Sequence, residues 1–172
     1  MQRTFVLLAL FANTAAFAGD PEPAVKVNDD GTVVGRMVLD APEDAVRQAL
    51  HEVQLTRVGS SVIELKFTRD GSCHAIFRRT RGLFSPLEMR TRLCPTAHGW
   101  RESLVESSDF DAYEIEWKVD PNASGGVGLS LSVRSDVNLM VPTSLMRQSQ
   151  MKGVRESFAA VLGRLLKIKP KE

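Results

Sequence analysis

The feature that most constrains this chain is a change of period at Pro142. Before it, apolar residues recur at every second position. "SVIELKF" puts Ile63, Leu65 and Phe67 on one side, and "AYEIEWKVD" does the same for Tyr113, Ile115 and Trp117. Spacing of two lines up one face of a strand. After Pro142 the spacing becomes helical: Leu145, Met151, Val154, Phe158, Val161, Leu162 and Leu165 fall near one stripe. Proline suits the first helical turn, and the basic residues of the last turn and tail suit the negative end of the helix dipole. One-sided strands followed by a long one-sided helix bury both apolar surfaces by laying the helix on the sheet, an α+β arrangement.

The opening repeats the switch on a smaller scale. In "TVVGRMVLDAPEDAVRQALHEV", Val33, Met37 and Leu39 alternate as in a strand. Asp40 reads as an N-cap and Pro42 as part of the first turn. Ala45, Val46, Ala49, Leu50 and Val53 then follow helical spacing.

Turn signals between the strands predict hairpins and their registers. Asp70-Gly71 is a two-residue turn signal. Taken as the turn, it pairs Phe67 with His74, Leu65 with Ile76 and Ile63 with Arg78. A turn around Phe84-Ser85-Pro86 pairs Cys73 with Cys94, Ile76 with Thr91 and Arg79 with Glu88. The two hairpins agree on faces: His74, Ile76, Arg78, Met89, Thr91 and Leu93 share one side, and Cys73, Phe77, Arg79, Arg90, Arg92 and Cys94 the other. Directly opposed cysteines lie within disulfide reach, so Cys73 and Cys94 are expected to be bonded on the outer face. "GWRESLVES" is a further strand, with Glu102 expected to face Arg92 as a surface pair. A loop centred on Ala123 pairs Val119 with Val127, Trp117 with Leu129, Ile115 with Leu131 and Tyr113 with Val133.

The start of the chain speaks to compartment. A basic start at Arg3, the short apolar run "FVLLALFANTAAF" and Ala16-Phe17-Ala18 read as a cleavable signal peptide over 1–18. Residues 19–31 ("GDPEPAVKVNDDG") read as a flexible lead-in, and 32–169 as the folded domain. The predicted location is periplasmic or secreted, where a disulfide persists. A formal net charge of +1 leaves no bulk electrostatic attraction for nucleic acid.

The order strand, helix, antiparallel strands and long terminal helix, together with "LDAPEDAVRQAL", "VPTSLMRQSQMKGVRESFAAVLGRLL" and "CPTAHGWRESLVES", resembles the START-like (SRPBCC) superfamily, in particular exported bacterial members of polyketide-cyclase-like type. The resemblance spans roughly Thr32 to Lys167. It implies a helix-grip fold, with a curved antiparallel sheet of about six to seven strands around the C-terminal helix. It also implies a cavity between them that takes a hydrophobic ligand in many members. Arg47 departs from the pattern, standing where an aromatic residue is common, and is expected to alter the cavity wall.

Combined with the face assignments, this places Ile63, Leu65, Phe67, Ile76 and Met89 on the cavity wall, with Ile115, Trp117, Leu129 and Leu131. His74, Arg78, Thr91 and Tyr113 are its expected polar positions. Arg78 reads either as a clamp for a ligand carboxylate or as a guanidinium snorkelling past the strand end. Arg79 and Arg81, with Leu83 and Phe84 as an apolar tip, read either as a transient membrane contact or as a solvated outer face. The sequence carries no metal-ligand cluster, catalytic motif or phosphate loop, and no cofactor is expected. Three functions stay open: an exported, monomeric binder of a hydrophobic or lipid-like small molecule; a cofactor-free cyclase-like enzyme using His74, Arg78 or Tyr113 on an aromatic or polyketide-like substrate; and an envelope interaction module with a filled cavity.

Overall fold

The computed structural model describes residues 22–56, 62–82, 85–122, 126–138 and 141–168. The expected signal segment, the apolar tip Leu83-Phe84 and the loop centre Ala123 lie outside them. The elements in order are β1 (Ala24–Val27), β2 (Val33–Leu39), α1 (Glu43–Gln54), β3 (Val62–Asp70) and β4 (Cys73–Thr80). Then come β5 (Leu87–Pro95), β6 (Gly99–Glu106), β7 (Phe110–Pro121), β8 (Val127–Val137) and α2 (Thr143–Leu165). The strands form one curved sheet in the order β1-β2-β8-β7-β6-β5-β4-β3. All neighbours are antiparallel. Strands β2 and β3 therefore lie far apart in the sheet, and α1, about 18 Å long, carries the chain between them. The architecture is the α+β helix-grip arrangement.

The sheet has eight strands where six or seven were expected. The extra one is β1, inside the stretch read as a flexible lead-in. "AVKV" carries little signal of its own and becomes a strand by pairing along β2, with Lys26 opposite Val34. Helix α1 begins after Pro42, so Asp40 is not its N-cap, and Glu43 and Asp44 supply the negative charge of its first turn.

Hairpin registers differ from expectation in an instructive way. The β3–β4 turn is Gly71-Ser72, closed by Asp70 opposite Cys73, so Phe67 faces Ile76 and Leu65 faces Arg78. Gly71 has φ 63°, and no described non-glycine residue has a positive φ. A type II′ turn needs a positive φ only at its first central position. The expected Asp70-Gly71 type I′ turn would also force it on Asp70. The β7–β8 register moves likewise by two residues, placing Trp117 opposite Leu131 and Ile115 opposite Val133. A two-residue shift keeps every side chain on its face. The β4–β5 register is as expected, with Ile76 opposite Thr91 and Arg79 opposite Glu88. Cys73 and Cys94 form the disulfide, their Cα atoms 4.3 Å apart.

The core fills one side of the grip. Val46, Ala49, Leu50 and Val53 of α1 and Val154, Phe158 and Val161 of α2 pack with the inward residues of β2, β7 and β8. Phe158 is fully buried, with the Trp117 ring against it edge-on at a centroid distance of 5.2 Å. Helix α2 comes this close to β2 because residue 35 is glycine: a Cβ there would stand 2.5 Å from the Phe158 ring and 2.6 Å from Val154. Leu145, expected on the same stripe, is half exposed and sits instead at the edge of the cavity described next.

Candidate functional site

Where the helices stop covering the sheet, a cavity of about 690 Å³ remains between the inward faces of the strands and the N-terminal half of α2. Its apolar wall includes Leu65, Met89, Ile115, Trp117 and Leu131 from the sheet and Val154 from α2. Alternation places these sheet residues together, since inward positions recur at every second residue of adjacent strands. Helix α2 is tied over the cavity by Gln150, whose Nε2 donates to Ser135 Oγ (2.7 Å) and to the Ser135 carbonyl (3.0 Å).

Seven expected positions line this space: Leu65, Arg78, Met89, Tyr113, Ile115, Trp117 and Leu131. Six do not. A bulge between Val62 and Glu64 turns Ile63 outward, leaving it 43 % exposed, and Val62 takes its place on the wall. Ile76, Thr91 and Leu129 are buried in packing rather than facing open space. Phe67 and His74 lie toward the β3–β4 turn, away from the cavity lining. Of the three candidates for acid–base chemistry, Arg78 and Tyr113 line the cavity and His74 does not. Arg47 is not part of the cavity lining: its Nη2 donates to the Val119 carbonyl (3.2 Å) and its Nε to Glu43 (2.8 Å).

Arg78, Glu102 and Tyr113 on the sheet side of the wall form one connected cluster with Thr91, apart from the Gln150–Ser135 pair. Glu102, expected at the surface opposite Arg92, is only 3 % exposed and points inward, because its cross-strand neighbours are Leu93 and Ile115. The register differs from expectation by one residue, which reverses the face. The signal was available: Trp100 and Leu104 flank Glu102 at spacing two, so alternation in "WRESL" puts the carboxylate on the apolar side. Arg78 Nη2 lies 3.1 Å from each Glu102 oxygen, and Thr91 Oγ1 donates to Glu102 Oε1 at 2.5 Å. Arg78 Nη1 donates to the Tyr113 hydroxyl oxygen, with the guanidinium over the Tyr113 ring. Arg78 thus neither waits for an external anion nor snorkels out: its partner is internal. Burial by itself would weaken the cation, but the facing Tyr113 oxygen and the Glu102 carboxylate outweigh it and hold Arg78 more firmly protonated than usual. Burial pushes the Tyr113 pKa up and the Glu102 charge adds to this, while Arg78 pulls the other way; the phenol stays neutral.

The remaining arginines of the β4–β5 hairpin make exposed pairs on the outer face. Arg79 meets Glu88 (3.2 Å), Arg90 meets Glu106 (3.0 Å) and Arg92 meets Asp70 (3.0 Å). Such pairs contribute ~0–1 kcal/mol each. Arg81 is exposed at the cavity rim. Among the described residues no group of His, Cys, Asp and Glu could hold a metal ion, and no helix is long and apolar enough to cross a membrane. The disulfide is compatible with an extracellular or periplasmic location.

No protein-family model matches the chain, and no curated protein matches it by sequence. Solved structures do match. A START superfamily protein from Mycobacterium smegmatis superposes with a TM-score of 0.61 at 13% identity, covering 80% of this chain and 99% of that one. A STAR-related lipid transfer protein from Xanthomonas axonopodis gives 0.59 at 14% identity, covering 84% and 99%. The Zhui aromatase/cyclase from Streptomyces sp. R1128 gives 0.57 at 13%, covering 79% and 91%. With the strand order, the closing helix and the cavity between them, these likenesses establish that the chain has the START-like (SRPBCC) helix-grip fold.

Proposed function

We propose that this chain is an exported, monomeric binding protein for a hydrophobic or lipid-like small molecule held between the sheet and α2. The observation that carries the reading is the cavity itself. At about 690 Å³ it lies within the usual range for small-molecule sites, and its wall is mostly apolar, with a charged cluster on the sheet side and further polar groups from α2 and the rim. An interaction module with a side-chain-filled interior would not keep such a space. Burying roughly 300 Å² of apolar ligand surface is worth ~7 kcal/mol before the costs of immobilisation. The basic, apolar start of the chain and the disulfide support export.

A cyclase-like enzyme is the second reading, favoured by the convergence of Arg78, Glu102 and Tyr113 in the cavity. A neutral tyrosine hydroxyl backed by an arginine can polarise a carbonyl. The arrangement lacks a free base, because both Glu102 oxygens are engaged by Arg78 and one also by Thr91. Binding without turnover therefore fits the geometry better. Mass spectrometry of small molecules released from natively purified protein is the test. A reproducible apolar compound supports binding. Failure to recover any compound, together with failure of added apolar probes to bind, refutes it.

A further inference from the structure

Away from the rim, where Arg81 is exposed, the charged residues that the strands bring to the cavity are one matched pair, Arg78 and Glu102, beside the neutral Tyr113 hydroxyl, and this arrangement selects the charge of the ligand. Both terminal nitrogens of Arg78 are committed inside the protein, one to Glu102 and one to the Tyr113 oxygen. Arg78 and Glu102 cancel, so the cluster carries no net charge. The Tyr113 oxygen already accepts from Arg78, and its own proton meets no other acceptor among the described residues. That hydroxyl is left to donate into the cavity it lines. The guanidinium behind it polarises the O–H bond and strengthens it as a donor.

A ligand carboxylate entering here would be a second anion for a cation already matched, leaving net negative charge beside an apolar wall. A neutral acceptor such as a ketone, an ester carbonyl or an alcohol oxygen takes the Tyr113 proton without burying charge. We propose that Tyr113 Oη is the ligand-facing donor, and that Glu102 is the built-in counter-charge that makes the cavity accept apolar molecules with a neutral acceptor head and reject anionic ones. This rests on the ligand-binding reading above. It also takes the place of both open readings of Arg78, the carboxylate clamp and the snorkelling guanidinium.

The test uses three straight-chain probes of equal length, an alkane, a methyl ester and a carboxylate, each displacing an apolar fluorophore from the disulfide-bonded protein at neutral pH. The ester should bind about tenfold more tightly than the alkane, as one hydrogen bond made in a dry site allows. The carboxylate should bind at least about tenfold more weakly than the ester. Tyr113→Phe should reduce the ester to the level of the alkane measured on the same variant. Glu102→Gln should free the guanidinium and raise carboxylate affinity by about tenfold, reversing the preference. A carboxylate that matches the ester in the unaltered protein overturns the proposal. So does a Tyr113→Phe protein, native by circular dichroism, that still prefers the ester. If the alkane itself does not bind, the cavity reading fails, and the head-group proposal fails with it; an alkane that binds with no head-group preference removes only the latter.

Discussion

Replacing Phe158 by alanine tests how α2 is held in the grip. The side chain is fully buried, packs edge-on against Trp117 and touches the space that Gly35 leaves open on β2. Phe→Ala in a core costs ~3–5 kcal/mol, the spread reflecting how far the surroundings collapse. Here collapse is restricted. Gly35 is fixed by ladder pairing to β1 on one side and β8 on the other, and has no side chain to move into the void. The edge-on aromatic pair adds ~0.5–1.5 kcal/mol that is lost as well. The expected cost therefore lies in the upper part of the range, ~4–5 kcal/mol. Urea unfolding reads it: with a slope of ~2 kcal/mol per molar, the midpoint should fall by roughly 2 M. Gly35→Ala alone should cost ~1–3 kcal/mol by overpacking against the same ring. The double variant should lose less than the sum, because removing the ring opens space for the new methyl group. Arg155→Ala, on the exposed side of α2, is the control. A Phe158→Ala loss below ~1.5 kcal/mol, or strictly additive costs with Gly35→Ala, would refute the close approach of α2 to β2.

Other measurements address separate parts of the molecule. Removing the Cys73–Cys94 bond by a paired Cys→Ser change should cost ~3 kcal/mol for a sequence separation of 21, and unfolded but unreduced protein should show no free thiol. Gly153→Ala should stabilise by ~0.5–1 kcal/mol in thermal unfolding, since a Cβ at this helical position meets nothing within 4 Å; no gain would mean that the glycine is there for more than chain geometry. Tyr113 is the chain's sole tyrosine, so tyrosinate absorbance reports it alone. In the native protein it should titrate above the ordinary value of about 10, with unfolded protein titrating at that value. Because the folded pKa is the higher, the unfolded state loses its proton first. The associated stability is complete below the unfolded pKa and is lost as pH climbs from there through the folded pKa. A native titration at the ordinary value would place the phenol in water.

Period alone determined the order of the elements from β2 onward, the helix that closes the chain and the facing of nearly every strand. Facing is insensitive to a two-residue change of register because side chains alternate with period two. Moving β3 on β4, or β7 on β8, by two residues changes partners and preserves faces. The facing cysteines were legible for the same reason, since the β4–β5 register put them opposite each other. What the sequence alone did not settle depended on steps of one residue or on partners remote in the chain. An outward Glu102 follows only from an alignment of β5 and β6 one residue away from their actual register, in which Leu93 faces it. The bulge that exposes Ile63, and the strand that "AVKV" becomes beside β2, arise from pairing geometry rather than from local preference. The tertiary structure alone decided that Arg78, Glu102, Thr91 and Tyr113 meet. They come from four adjacent strands, and only the register between those strands brings a cation, a carboxylate and two hydroxyls into hydrogen-bonding range. The cavity was likewise beyond local reading, because empty space is set by how far α2 is held from the sheet, a distance fixed by packing at Gly35 and Phe158 on the other side of the grip.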